Sequence, residues 1–172
     1  AIATNAKYLL FVGEDTVLPY DGFLKLHETA ENNPNSVVSG VYYIKLSSPM
    51  VMIKKNNAII PADVLSGEEI HNVHLIGMDA MLIPIEILKK MKEEDPEIPF
   101  CCIYSDDSIP GGFIGEDNFF TYRLRKMGID IICNTNVQCL HVDLLSNKYT
   151  ASPNIDINKY FTINPLGERL TF

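Results

Sequence analysis

Short apolar runs and segments with apolar residues at helical spacing alternate along this chain. The runs are rich in β-branched and aromatic residues, which is typical of strands. The predicted strands are residues 8–12, 37–45, 50–54 with 58–60 as a hairpin, 130–133 and 137–140, and residues 73–83 form a further apolar stretch that is interrupted at 77–79. The first run, Tyr-Leu-Leu-Phe-Val, is continuous and predicts a strand covered on both faces. Because helical segments separate these runs, the pattern predicts an α/β fold with helices packed on a largely buried sheet.

Local start and stop signals set the bounds of three predicted helices. Asp21 suits an N-cap, and the turn residues 32–35 end the helix that follows it. Pro84 suits the first position of a second helix, which we expect to end near residue 94. A third helix follows Glu116 and ends at Gly128, a natural C′ residue. Beyond it we expect the main domain to end near residue 145, with residues 146–172 forming a polar C-terminal extension.

Composition and charge exclude several classes of protein. The chain has 172 residues, 47% of them apolar, which is enough for one domain with a sizeable core. A net charge of -8 without a basic cluster argues against nucleic-acid binding. No apolar run approaches the ~18–20 residues of a transmembrane helix. The four cysteines lack the CxxC spacing, so we expect a cytoplasmic protein with free thiols.

Acidic residues and a histidine follow predicted strands or begin a predicted helix. Glu14 and Asp15 follow the first strand, Glu116 and Asp117 open the third helix, and His141 follows the last strand. Open α/β sheets bind ligands at the carboxyl ends of their strands, so these groups predict a divalent-metal and acid/base site. A solvated turn after the strand and a helix start favoured by the helix dipole explain the same acidic residues without any site.

Several segments, in order along the chain, together resemble glycosyltransferases of the GT-A fold, in particular the family-two-like members. Residues 10–19, Leu-Phe-Val-Gly-Glu-Asp-Thr-Val-Leu-Pro, resemble the segment that carries the Asp-x-Asp motif, with Gly13 in place of the first aspartate. Residues 111–120 resemble the Glu-Asp-x-x-Phe region, which a glycine-bearing acceptor loop precedes. Residues 128–141 are similar to the strand, turn and strand that end in a histidine. Residues 39–43 and 77–84 are similar to two further strands of the family.

The resemblance implies a GT-A-like mixed sheet flanked by helices. It covers residues 1–145 and only the second half of the usual domain, so we expect part of the N-terminal nucleotide-binding half to be missing from this chain. The implied activity is inverting transfer of a sugar from a UDP- or GDP-sugar donor to a carbohydrate or other hydroxyl acceptor, with Mn²⁺ or Mg²⁺ as cofactor.

The resemblance also implies roles for individual residues. The implied metal ligands are Asp15 and His141, the implied catalytic base is Asp117 or else Glu116, and the implied substrate contacts are Glu14, Asp79 and Gly112. The tyrosines at positions 42 and 43 are expected to pack in the core. A non-catalytic carbohydrate- or partner-binding module with a degenerate GT-A fold remains the alternative. Gly13 and the missing half favour that alternative, whereas Glu116, Asp117 and His141 oppose it.

Overall fold

The computed structural model describes residues 5–44, 50–51, 53–55, 58–59, 67–105, 113–143, 148–150 and 160. Within these ranges the helices are α1 Gly22–Asn32, α2 Ile85–Glu94 and α3 Glu116–Lys126. The strands are β1 Tyr8–Val12, β2 Thr16–Val17, β3 Ser36–Val41, β4 Tyr43–Ile44, β5 Met50–Val51, β6 Ile53–Lys55, β7 Ala58–Ile59, β8 Glu69–Ile70, β9 Leu75–Ile76, β10 Ala80–Pro84, β11 Tyr104–Ser105, β12 Phe113–Ile114, β13 Asp130–Gln138, β14 Leu140–Asp143 and β15 Lys148–Thr150. None of the helices in this part of the chain combines the length and the apolarity needed to cross a bilayer.

A five-stranded mixed sheet forms the centre of the fold. Its strands lie in the order β1-β10-β3-β13-β8. The pair β3 and β13 is parallel, and the other neighbours are antiparallel. Helices pack on both faces, as described below, so the predicted α/β class, a mixed sheet flanked by helices, is confirmed.

Adjacent residues of the central strands point to opposite faces and form two apolar clusters. Val38, Leu82 and Ile132 pack on one face with Leu26 and Ala30 of α1. On the other face their neighbours in sequence pack with residues of α2 and α3, including Leu88 and Leu124. This alternation follows from the two-residue period of a strand. Because helices cover both faces of the sheet, β3 and β10 are buried along their whole length.

Strand β1 lies at the edge of the described sheet, and its two faces are covered only in part. Among the described strands it pairs with β10 alone. Tyr8 and Leu10 pack against the apolar cluster on one face and Leu9 against the cluster on the other, whereas Phe11 and Val12 are 40% and 38% exposed. An apolar run does not reveal its position in the sheet. The helices lie over the central strands, so the end of β1 stays partly open to solvent.

Other predicted boundaries also change. The run 37–45 is divided, because β3 ends at Val41 and β4 pairs with β5 in another sheet. Strand β13 covers the first strand predicted in residues 130–140 and the start of the second, with an irregular register between Cys133 and Gln138. Leu140 begins β14, so His141 lies within a strand rather than after one. Pro84 ends β10 and is the N-cap of α2 rather than its first residue.

The remaining signals are mostly confirmed. Gly128 follows α3 with φ +71, as expected at C′. Strands β6 and β7 form the predicted hairpin. Asp21 is at the N-cap of α1 but makes no capping hydrogen bond, and its carboxylate instead pairs with Lys25 at 2.7 Å. In the predicted C-terminal extension, residues 148–150 form β15, which pairs with β14.

The directions of the strands bring distant parts of the chain to one edge of the sheet. Strands β1, β3 and β13 run the same way, and β10 runs against them. The carboxyl ends of β1 and β13 therefore lie beside the start of β10. As a result, the turn after β1, the residue before β10 and the strand after β13 meet at this edge.

Candidate metal and acid/base site

Asp15 and His141 lie side by side at this edge. Oδ2 of Asp15 is 3.2 Å from Nε2 of His141. The backbone fixes this pair, because β2 pairs with β14 and the N–H of Val142 donates to the carbonyl of Asp15 at 2.7 Å. The prediction that the two side chains meet, despite their separation in sequence, is confirmed.

The hydrogen bond of His141 to the backbone determines which ring nitrogen faces the carboxylate. Nδ1 lies 2.8 Å from the carbonyl oxygen of Tyr43, which can only accept, so Nδ1 carries a proton and donates it. Nε2 then points at Asp15, with the side chain only 13% exposed. Metal-binding histidines commonly donate their second ring N–H to a carbonyl in this way, which holds the other nitrogen towards the ion.

Asp79 completes a group of three possible ligands. It immediately precedes β10, and a carboxylate oxygen of Asp79, a carboxylate oxygen of Asp15 and a ring nitrogen of His141 all lie within 4.8 Å of one another. Two carboxylate oxygens and an imidazole nitrogen suit Mn²⁺, and carboxylate oxygens also suit Mg²⁺. The donor set therefore fits the divalent cofactor that the sequence predicts.

Asp117 lies in the first turn of α3, next to this group. Its Oδ2 accepts a hydrogen bond from the hydroxyl of Tyr42 at 3.4 Å, and its carboxylate accepts another from the backbone N–H of Met78. Burial raises the pKa of Asp117 to about 6, and the negative charges of Asp79 and Glu116 add to the effect. The pKa of Asp117 therefore lies much closer to neutral pH than that of an ordinary aspartate.

Tyr42 connects the two parts of the site. Its ring meets that of His141 edge to face, with centroids 5.5 Å apart, while its hydroxyl reaches Asp117. Burial, followed by the charge of Asp117, raises the pKa of the Tyr42 hydroxyl far above its usual value, so it stays protonated and donates. Gly77 leaves room for the ring, because a Cβ there would lie 1.8 Å from the tyrosine oxygen.

Of the other predicted site residues, Glu116 and Glu14 are exposed, and Gly112 is outside the described residues. The carboxylate of Glu116 is nonetheless close enough to Asp117 to contribute to its raised pKa. Of the two candidates for the base, Asp117 is the one that contacts Tyr42.

Sequence reasoning missed the hydroxyl of Tyr42, since a tyrosine after an apolar strand is usually a core residue. The ring is indeed buried, at 6% exposure. Cys101 was also missed. Burial raises the pKa of its thiol, and the charges of Glu116 and Asp117 contribute, which places it near the first turn of α3. No signal in the sequence indicates that residue 101 returns to this helix.

Comparisons with known proteins give only a fold. No protein-family model matches the chain, and no curated protein matches it either. Among solved structures, the chain is similar to one described as the crystal structure of A197 from STIV, with 20% sequence identity and a TM-score of 0.50. The match covers 88% of this chain and 69% of that one. At this level of identity the likeness concerns the overall fold.

Proposed function

We propose that this chain is a metal-dependent glycosyltransferase of the GT-A type, which transfers a sugar from a nucleotide-diphosphate donor to a hydroxyl acceptor. One observation carries the proposal: Asp15 and His141 meet at the edge of the sheet where Asp117 also lies. The sequence resemblance assigns these same three residues to the metal and to the base. Their meeting, although they come from three separate segments of the chain, supports a common site.

Asp15 and His141 hold the metal in this proposal. Their backbones are joined through β2 and β14, so the two ligand atoms are positioned before any ion arrives. When bound, Mn²⁺ or Mg²⁺ supplies the positive charge that stabilises a diphosphate leaving group. The protein contributes a fixed imidazole and a partly shielded carboxylate, whose side chain is 24% exposed.

Asp117 acts as the general base. It takes the proton from the acceptor hydroxyl while that oxygen forms the new bond to the sugar and the bond from the sugar to the diphosphate breaks. A pKa of about 6 suits this task, because the group is mostly ionised at pH 7 yet more basic than an ordinary aspartate. Tyr42 and the N–H of Met78 hold the carboxylate in one orientation.

A non-catalytic carbohydrate-binding module is the alternative. It is favoured by Gly13, which removes a carboxylate from the motif that the chain resembles. The two candidates differ in turnover rather than in binding, so a binding measurement alone does not separate them.

The experiment uses the protein in its full natural length with Mn²⁺, a panel of UDP- and GDP-sugars, and saccharide acceptors. Release of the nucleoside diphosphate is measured with and without the metal. We expect Mn²⁺-dependent release that falls by roughly 10²–10⁴-fold in Asp117→Asn, the usual range for a lost general base. The matched variant Glu116→Gln should keep most of the turnover.

Two results would count against this assignment. Sugar binding without Mn²⁺-dependent release from any donor would favour the binding module. Full turnover in Asp117→Asn, combined with a loss in Glu116→Gln, would move the base to Glu116.

A further inference from the structure

We infer that Asp79 is the second carboxylate ligand of the metal site and that Gly13 is required as glycine because this carboxylate occupies the space beside it. The inference rests on the metal site of the proposed function. It gives residue 79 a role in metal binding instead of the substrate contact expected from the sequence. It also explains how the site keeps two carboxylates although residue 13 has no side chain.

The space beside Gly13 is already filled. A Cβ built on Gly13 would lie 2.6 Å from Oδ1 of Asp79 and 3.1 Å from Oγ1 of Thr16. The shorter distance is well below ordinary van der Waals contact, so a side chain at position 13 and the present position of the Asp79 carboxylate exclude each other. The carboxylate of Asp79 therefore lies where a side chain of residue 13 would begin.

The backbones of Gly13 and Asp79 are fixed against each other. The N–H of Gly13 donates to the carbonyl of Asp79 at 3.2 Å, and the N–H of Thr16 donates to the carbonyl of Gly13 at 3.1 Å. The buried hydroxyl of Ser39 lies 3.2 Å from the carbonyl of Ala80, the next residue. A larger residue at position 13 thus cannot be accommodated by a small backbone shift, and the Asp79 side chain must move instead.

The negative charges near Asp79 also favour a bound cation. A carboxylate oxygen of Asp79 lies within 4.8 Å of the carboxylate of Asp15 and of a ring nitrogen of His141, and the charge of Asp79 also contributes to the raised pKa of Asp117. Two carboxylates near each other and near a third are costly without a cation. A divalent ion offsets this repulsion, which gives the arrangement a reason to exist.

The test measures Mn²⁺ affinity by the loss of the free-ion signal in electron paramagnetic resonance. Asp79→Asn keeps the shape of the side chain and removes its charge, while Gly13→Ala displaces the carboxylate. We expect each to weaken Mn²⁺ binding by at least about tenfold. Loss of a residue that only hydrogen-bonds to a metal ligand already has an effect of this size, and loss of the ligand itself should have no smaller one. The double variant should lose no more than the worse single one, because both changes act on the same ligand.

A matched control and an exchange variant complete the design. Gly115→Ala adds the same methyl group where a Cβ would have nothing within 4 Å, so its Mn²⁺ affinity should equal that of the unchanged protein. Gly13→Asp combined with Asp79→Ala moves the carboxylate across the contact and should recover affinity relative to Asp79→Asn. Thermal unfolding identifies any variant that does not fold. If Gly13→Ala or a combined variant fails to fold, the Mn²⁺ affinity of Asp79→Asn decides whether residue 79 is a ligand.

The outcomes separate this inference from the proposed function. Unchanged Mn²⁺ affinity in Asp79→Asn or in folded Gly13→Ala would overturn the inference and leave Asp15 and His141 as the metal ligands. Additive losses in the double variant would also overturn it. If the unchanged protein binds no Mn²⁺, the metal site of the proposed function fails, and the inference fails with it.

Discussion

The hydroxyl of Tyr42 donates a hydrogen bond to Oδ2 of Asp117 over 3.4 Å, and this contact joins the end of the central strand β3 to the first turn of α3. The same ring packs edge to face on His141. The buried side chain of Tyr42 therefore contacts both the candidate base and a candidate metal ligand. A variant that lacks only the tyrosine hydroxyl loses the contact with Asp117 and keeps the contact with His141.

In Tyr42→Phe we expect the ring to stay in place and the hydrogen bond to Asp117 to be lost. That bond stabilises the ionised carboxylate, so its loss should raise the pKa of Asp117 further above its present value of about 6. A carboxyl-detected NMR titration of Asp117 measures this shift. Mn²⁺ affinity should change little, since the contact of the ring with His141 remains.

Tyr8→Phe is the matched control for this experiment. The hydroxyl of Tyr8 also donates to a carboxylate, that of Glu31 at 2.8 Å, but outside the candidate site. Its removal should leave the titration of Asp117 unchanged. An equal effect of the two variants would show that Tyr42 does not orient Asp117.

Asp117→Asn should stabilise the protein at pH 8 and have little effect at pH 4. The pKa of Asp117 rises from 3.8 to about 6 on folding, so the folded state binds the proton more tightly and the ionised form costs stability above pH 6. The cost disappears below about pH 4, where both states are protonated. Because the group is partly exposed, we expect a gain of only about 1 kcal/mol at pH 8.

Urea unfolding of Asp117→Asn at the two pH values measures this difference. Glu116→Gln serves as the control, because it removes an acidic residue from the same helical turn, where the dipole effect is worth ~0.3–1 kcal/mol. The stability of Asp117→Asn relative to Glu116→Gln isolates the effect of burial. A variant that is less stable than Glu116→Gln at pH 8 would show that the carboxylate is stabilised where it lies.

Arg123→Leu should destabilise the fold by about 2–4 kcal/mol. The guanidinium is 6% exposed and donates to the carbonyls of Pro99 and Met91 at 2.7 and 3.3 Å, which ties α3 to the end of α2. Leucine removes both hydrogen bonds, and although the carbonyl of Met91 still accepts from the backbone N–H of Asp95, that of Pro99 loses the guanidinium donor. Arg125→Leu, on the exposed side of the same helix, should stay within ~0.5 kcal/mol in urea unfolding. Equal stability of the two variants would contradict this account of Arg123.

The pattern of the sequence predicts the elements and part of the site because both depend on local signals. Asp15 and His141 were expected to meet because each follows an apolar strand, and parallel strands end at one edge of a sheet. The helix ends at Glu94 and near Gly128 follow from a proline and a glycine that stop helices.

The features that were not predicted depend on the order and direction of the strands in the sheet, which a local sequence pattern does not reveal. The apolar run of β1 does not reveal that, among the described strands, it pairs with β10 only. Asp79 joins the site because β10 runs antiparallel to β1, so that the start of one strand lies beside the end of the other. The Tyr42 hydroxyl reaches Asp117 from the residue that directly follows the end of β3 at Val41.

The central claim is that Asp15 and His141 bind a divalent metal, and a Mn²⁺ titration followed by electron paramagnetic resonance tests it most directly. Asp15→Asn and His141→Gln keep side chains of similar size and remove the ligand charge or the ring nitrogen. The control is His71→Gln, because His71 also lies near carboxylates but is exposed and outside the candidate site. The account predicts one tight Mn²⁺ site that each of the first two variants weakens by at least about tenfold and that His71→Gln leaves intact. Equal Mn²⁺ binding by all four proteins, or none by the unchanged one, would contradict it.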